Sequence, residues 1–271
     1  MKWRAIYALC LASFLGACAS NQVFEEDRSY MVTGEATPAS VTAMRGLLKQ
    51  TGPSYVTLTV SESHKRNKSA ASDPALAVSS GSGFVVEKSG YILTAAHVAM
   101  QKGYTVSARG SDGRLYSGKV IAIRPSNDMA LIKLSGFEGS PAHPTVNPCL
   151  TKGETVYTLG KPHAQGDTAR IGQVEMMHFG RPVQYGPFGY PDAMVLRMST
   201  QKGESGGPVF NNSGELSGMV VSTLSDGNGR PLNLAHALPS TSLADFLCSS
   251  IACSPKWQAL STRTTQSCPQ S

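Results

Sequence analysis

The sequence lacks an apolar run long enough for an ordinary transmembrane helix: the uncharged stretch Ala5 to Ala17 is 13 residues, against about 20 needed to span a bilayer. It also lacks paired Cys-x2-Cys motifs, and His64, His143, His163 and His178 are scattered without ligand spacing. A zinc site is therefore not expected, and no metal ligands are assigned. Gly153 to Lys161 ends in Gly-Lys, but its glycine spacing is wrong for a phosphate-binding loop and Pro162 stands where Ser or Thr is required. Internal repeats and coiled-coil heptads are missing too. These gaps exclude nucleotide machinery and leave no cofactor to be expected.

Charge of one sign is not strongly in excess, with 24 basic against 18 acidic residues. Some of the surplus is concentrated in His64-Lys65-Arg66-Asn67-Lys68, inside the Ser/Ala-rich stretch Ser61 to Ser80. That run has no interleaved aromatics and no helical pattern, so it reads as a solvated loop and no nucleic-acid partner is expected. Four residues, Met1-Lys2-Trp3-Arg4, make a short basic start ahead of the Ala5–Ala17 run, the pattern of a signal peptide over residues 1–17. It ends in Leu15-Gly16-Ala17-Cys18, which has the form of a bacterial lipobox. Cys18 is then expected to become the lipidated N-terminus, a membrane anchor in the cell envelope. Ala19 and Ser20 follow, with no Asp at the second place, which fits the periplasmic face of the outer membrane. Several acyl chains give stable anchoring because each buried CH2 adds about 0.8 kcal/mol. Loss of residues 1–17 removes Lys2 and Arg4 and leaves 22 basic against 18 acidic residues.

Four cysteines remain beyond Cys10 and Cys18: Cys149, Cys248, Cys253 and Cys268. An even number in an exported chain suggests two disulfides, with three possible connectivities. Short runs such as Tyr55 to Val60, Gly83 to Val86, Gly118 to Ile123, Thr155 to Leu159, Ala193 to Met198 and Glu215 to Thr223 are separated by Gly, Pro, Asn and Asp. The pattern predicts many short strands. Val41, Met44, Leu47 and Leu48 lie at helical spacing and predict a short helix over Ser40 to Gln50. A second helix is expected over 240–249, with Ser240, Thr241 and Ser242 as candidate caps.

Three segments carry chemistry. Gly203-Glu204-Ser205-Gly206-Gly207-Pro208 places one serine in a glycine-built turn. Glycine adopts backbone conformations closed to other residues, so Gly203, Gly206 and Gly207 let backbone N–H groups turn inward toward one point beside the hydroxyl, as an oxyanion hole would need. Taken alone, such a cluster is more often a plain turn. The run Gly90-Tyr-Ile-Leu-Thr-Ala-Ala-His97 is strand-like and ends in a histidine placed for general-base work, although a lone histidine there is usually structural. Asp128, in Asn127-Asp128-Met129-Ala130-Leu131, directly precedes a strand pattern and is a candidate partner for His97.

Together these segments resemble the trypsin-like serine proteases, and within them the Deg/HtrA type. The resemblance also includes Gly81-Ser82-Gly83-Phe84-Val85-Val86 and Ile92-Leu93-Thr94-Ala95-Ala96-His97-Val98, and it extends over roughly residues 52 to 247. It implies an all-β fold of two six-stranded antiparallel barrels with a short C-terminal helix. Barrel one would occupy about 52–140 and barrel two about 150–247, after a tether over 18–51 and ahead of a cysteine-containing tail over 248–271. It implies a catalytic triad of His97, Asp128 and Ser205 that cleaves polypeptide through an acyl-enzyme, with the backbone N–H groups of Gly203 and Ser205 as the oxyanion hole. The family's inter-barrel connection would hold Cys149 near the C-terminal helix, so its pairing with one of the other three cysteines is expected.

The same resemblance places Ser199 and Thr200 near the floor of the substrate pocket. One wall would run from Val221 through Ser222 and Thr223 to Leu224, the other from Ala235 through His236 to Ala237. No acid stands at the floor, so uncharged, medium or small side chains are expected there. His236 either offers a polar contact to the substrate or faces away. Glu204 departs from the pattern, since the relatives usually carry Asn or Asp before the nucleophile; a structural bond to a nearby Lys or backbone group and a regulatory role both remain open. Only 24 residues follow Leu247, too few for the PDZ domain that Deg/HtrA proteins usually add, since a domain needs about 50. Oligomeric state is not implied.

Overall fold

The computed structural model describes residues 30–34, 38–62, 77–164, 166–264 and 268. The expected signal peptide, the expected lipidation site Cys18 and the His64–Lys68 run lie outside the described residues.

The chain begins with strand β1 (Met31–Gly34) and helix α1 (Pro38–Thr51). Strands β2 (Tyr55–Ser61), β3 (Ala77–Glu87) and β4 (Tyr91–Thr94) follow, then the single-turn helix α2 (Ala96–Ala99). Next come β5 (Thr105–Arg109), β6 (Leu115–Arg124) and β7 (Met129–Leu134). These six strands close a barrel in the order β2-β3-β4-β7-β6-β5. Alternation is clearest in β5, where Val106 and Ala108 turn inward between Thr105, Ser107 and Arg109. Tyr55, Val56 and Val60 on β2 are the aromatic and β-branched residues that suit a pleated, buried surface.

The second half contains β8 (Thr155–Gly160), β9 (Thr168–Met176), the hairpin β10 (Val183–Tyr185) and β11 (Phe188–Tyr190), and β12 (Met194–Arg197). It is completed by β13 (Pro208–Phe210), β14 (Leu216–Ser225) and β15 (Pro231–Pro239). Pairing runs β9-β12-β15-β14-β13-β8 and returns to β9, closing a second six-stranded barrel. Both barrels are therefore as expected. Strand β1 is an addition that the tether reading of 18–51 did not contain: it pairs in parallel with β9, Thr33 opposite Arg170.

Helix α3 (Ser240–Ser250) leaves β15 directly, and α4 (Pro255–Ser261) follows where only a tail was expected. The proposed caps are corrected: Pro239 occupies the N-cap without a side-chain cap bond, and the Ser240 hydroxyl is buried without a partner among the described residues. With the strand running straight into the helix, the cap position falls to the last strand residue. Leu243, Phe246, Leu247 and Trp257 join the core of the first barrel, and Arg124 on β6 bonds Asp245 at 2.7 Å. Disulfides join Cys149 to Cys268 and Cys248 to Cys253, which selects one of the three connectivities. The first ties the inter-barrel connection to the tail; the second closes the corner between α3 and α4.

Candidate active site

His97 does not end a strand, as its segment suggested. The strand stops at Thr94, and the imidazole projects from the turn of α2. Asp128 follows the turn Pro125–Asn127 in the left-handed conformation, φ 48° and ψ 46°, immediately before β7. Its carboxylate is fully buried and its oxygens are claimed by donors. Oδ1 accepts the His97 backbone N–H at 3.0 Å, and His97 Nδ1 lies 2.9 Å from Oδ2. A buried carboxylate with such partners is an acceptor only, so Nδ1 carries the proton and Nε2 is left with a free lone pair. The Tyr185 hydroxyl also donates to Oδ2.

The Ser205 turn belongs to barrel two but is pinned by barrel one. Ser82 on β3 donates its N–H to Ser205 O at 2.9 Å and its hydroxyl to Gly203 O at 2.8 Å. Thr94 Oγ1 in turn donates to Ser82 O at 2.7 Å. Gly206 has φ 82° and lies so close to Ser82 O and Thr94 Oγ1 that a Cβ would collide with both. Gly203, at φ 101°, has no room for a Cβ beside Lys161 O. These close approaches carry the Ser205 turn to the strand end that leads into His97. Within the turn, Glu204 N–H bonds Gln201 O and Gly206 N–H bonds Val220 O. The N–H groups of Gly203 and Ser205 have no acceptor among the described residues. Ser205 Oγ donates to Val221 O at 3.4 Å, and no hydrogen bond joins it to His97 among the described residues.

Glu204 is bound by an arginine rather than a lysine. Arg170 Nε donates to Oε1 at 2.6 Å and Gln201 N–H to Oε2 at 2.6 Å, while Arg170 Nη1 reaches Thr33 Oγ1 at 3.1 Å. Glu204 is 1% exposed and Arg170 9%. Burial pushes the Glu204 carboxyl upward, opposed by Arg170 and the Gln201 N–H. The pair fixes the loop on which the serine rides. Replacing Arg170 by Met would strand a buried carboxylate, and the expected loss is about 3–5 kcal/mol of unfolding free energy. Guanidinium denaturation should show a lower midpoint with an unchanged slope. A loss below about 1 kcal/mol would mean that the pair contributes little.

Of the residues assigned to the pocket, Thr200 and Thr223 bond each other through their hydroxyls at 2.8 Å. Ser199 is exposed, whereas Val221 and Ala235 are buried. The Tyr190 hydroxyl lies 2.8 Å from Ser222 Oγ and 2.7 Å from His236 Nδ1. His236 also packs against Phe179, with the rings tilted at 56°, and is 3% exposed. Burial, with a smaller contribution from Arg181, pushes its pKa down to about 4. An unfolded histidine titrates near 6.5, so between about pH 6.5 and 4 the unfolded chain binds the extra proton. Stability is then expected to fall as pH drops through that window, by up to roughly 3 kcal/mol. Denaturation midpoints from pH 7 to 4.5 should flatten in His236→Leu; an unchanged slope would assign the pH dependence elsewhere.

Behind the Asp128 turn lies a cleft of about 620 Å3 lined by residues that include Arg124, Asn127, His178, Asp192, Asp245 and Arg263. None of the three candidate catalytic residues lines it.

Two barrels, a serine on a glycine-built turn between them and a histidine bonded to a buried aspartate define a protein of the trypsin type. The chain belongs to the trypsin-like peptidase family, whose domain is matched over residues 81–219. Among its relatives is a probable periplasmic serine endoprotease DegP-like from Brucella suis, 32% identical over 167 residues, 60% of this chain and 31% of that protein. The mitochondrial serine protease HTRA2 of Drosophila persimilis is 29% identical over 234 residues, covering 80% of this chain and 52% of that one. The chain thus spans between about a third and about half of the length of these relatives. The inactive form of the Rv3671c protease of M. tuberculosis shares the fold, with a TM-score of 0.62 at 22% identity over 82% of this chain and all of that one. The HtrA-type protease AlgW with tripeptide gives 0.63 at 21% identity over 77% and 63% of the two chains.

Around the triad residues, the sequence reading missed Ser82 and Tyr185. Ser82 was legible only as part of a barrel strand, yet small neighbours at Gly81 and Gly83 are the signal that another backbone comes close. Tyr185 carried no signal.

Proposed function

We propose that the chain is a serine endopeptidase using His97, Asp128 and Ser205. The observation that supports this most is the conjunction of a buried Asp128 carboxylate on His97 Nδ1 with a glycine-built serine turn whose Gly203 and Ser205 N–H groups have no acceptor among the described residues. His97 Nε2 would take the Ser205 proton as Oγ bonds to the substrate carbonyl carbon. The carbonyl oxygen would then gain its negative charge between the two N–H groups. Collapse would break the C–N bond, with His97 returning the proton to the amine. Water would release the acyl group by the same route.

Exposed segments of envelope polypeptides are the proposed substrates. The site between Thr200, Val221 and Ala235 would take uncharged, medium or small side chains. Lipid on Cys18 would hold the enzyme at the periplasmic face of the outer membrane; the DegP-like relative is itself named periplasmic. The unit carrying activity would be 52–247, on a tether over 18–51, with 248–271 stapled to it.

A latent or non-catalytic reading is favoured by one observation, the bond from Ser205 Oγ to Val221 O. The readings separate in a fluorogenic peptide-library assay of the form lacking residues 1–18. Turnover that a fluorophosphonate abolishes supports the peptidase, and a folded protein with no turnover supports the other.

A further inference from the structure

The β10–β11 hairpin leaves barrel two and packs against the Pro125–Asn127 turn of barrel one, the turn that delivers Asp128. At its near end the Tyr185 hydroxyl donates to Asp128 Oδ2 and lies 3.4 Å from His97 Nδ1. Its ring meets the His97 imidazole edge-on at 5.6 Å, and Phe188 lies 6.4 Å from the same imidazole. Resting on the triad reading, we propose that Tyr185 is a positioning residue of the reaction, holding the second oxygen of Asp128 so that the carboxylate presents a fixed plane to His97.

Asp128 has two oxygens and needs a donor on each side to stop it turning about its own side-chain bond. The His97 backbone N–H fixes Oδ1. On Oδ2 the imidazole is the group being oriented, so among the described residues Tyr185 alone supplies an independent hold. The hydroxyl is a dependable donor: burial and the adjacent carboxylate push its pKa well above the ordinary tyrosine value. Because hairpin and Asp128 belong to different barrels, this bond also fixes the triad across the cleft.

The test is Tyr185→Phe, which keeps the ring contacts and removes the donor. The kcat for a peptide is expected to fall about 10- to 100-fold, the worth of one hydrogen bond to a charged group, with KM within about twofold. Fluorophosphonate labelling of Ser205 should slow by the same factor. The downfield proton resonance of His97 Nδ1–H, assigned by its loss in His97→Ala, should move. Wild-type kcat and labelling rate in Tyr185→Phe, a change in KM alone, or an unmoved resonance would each overturn the role. A wild-type protein that neither cleaves nor labels would instead overturn the triad reading.

Discussion

Ser205→Ala is expected to cut kcat about 10^6-fold, leaving the 10^3–10^4-fold acceleration over water that an oxyanion hole and substrate binding give unaided. The serine side chain has no other structural duty among the described residues, where it makes one long bond, to Val221 O at 3.4 Å. What places the turn is backbone, held by Ser82 and by the Glu204–Arg170 pair. The variant should therefore keep its denaturation midpoint while its peptide turnover disappears. Retained turnover would remove Ser205 from the chemistry.

Asp128→Asn is expected to cost about 10^4-fold in kcat, the loss this change gives in other triads. The carboxylate accepts from His97 N–H, His97 Nδ1 and Tyr185, and an amide of the same shape accepts on one atom only. If its oxygen stays on the His97 N–H, its NH2 faces Nδ1. The imidazole must then move its proton to Nε2, where it can no longer take one from Ser205. Steady-state kinetics on a folded variant would show the fall in kcat. A loss under tenfold would mean that His97 keeps its tautomer without Asp128.

What was legible in the sequence was local. The glycine-built serine turn, the run from Ile92 to His97 and the aspartate before β7 each declare themselves within about ten residues, and their order carried the family and both barrels. What was not legible depends on distant partners. Arg170 and Glu204 are 34 residues apart, and nothing in the strand around Arg170 marks it as buried. Tyr185 reaches Asp128 across 57 residues from a Gly- and Pro-containing hairpin with no periodic pattern. Strand β1 is four residues long and pairs with the Thr168–Ile171 stretch of β9, beyond the part that β12 pairs, a tertiary contact that its own composition does not specify.

Mass spectrometry of the form lacking residues 1–18 after fluorophosphonate treatment, with Ser205→Ala alongside, tests the triad most directly. One adduct, on Ser205 in the wild type and missing from the variant, is the result expected of a serine activated by His97. A folded wild-type protein with no adduct, or with label on another residue, would contradict it.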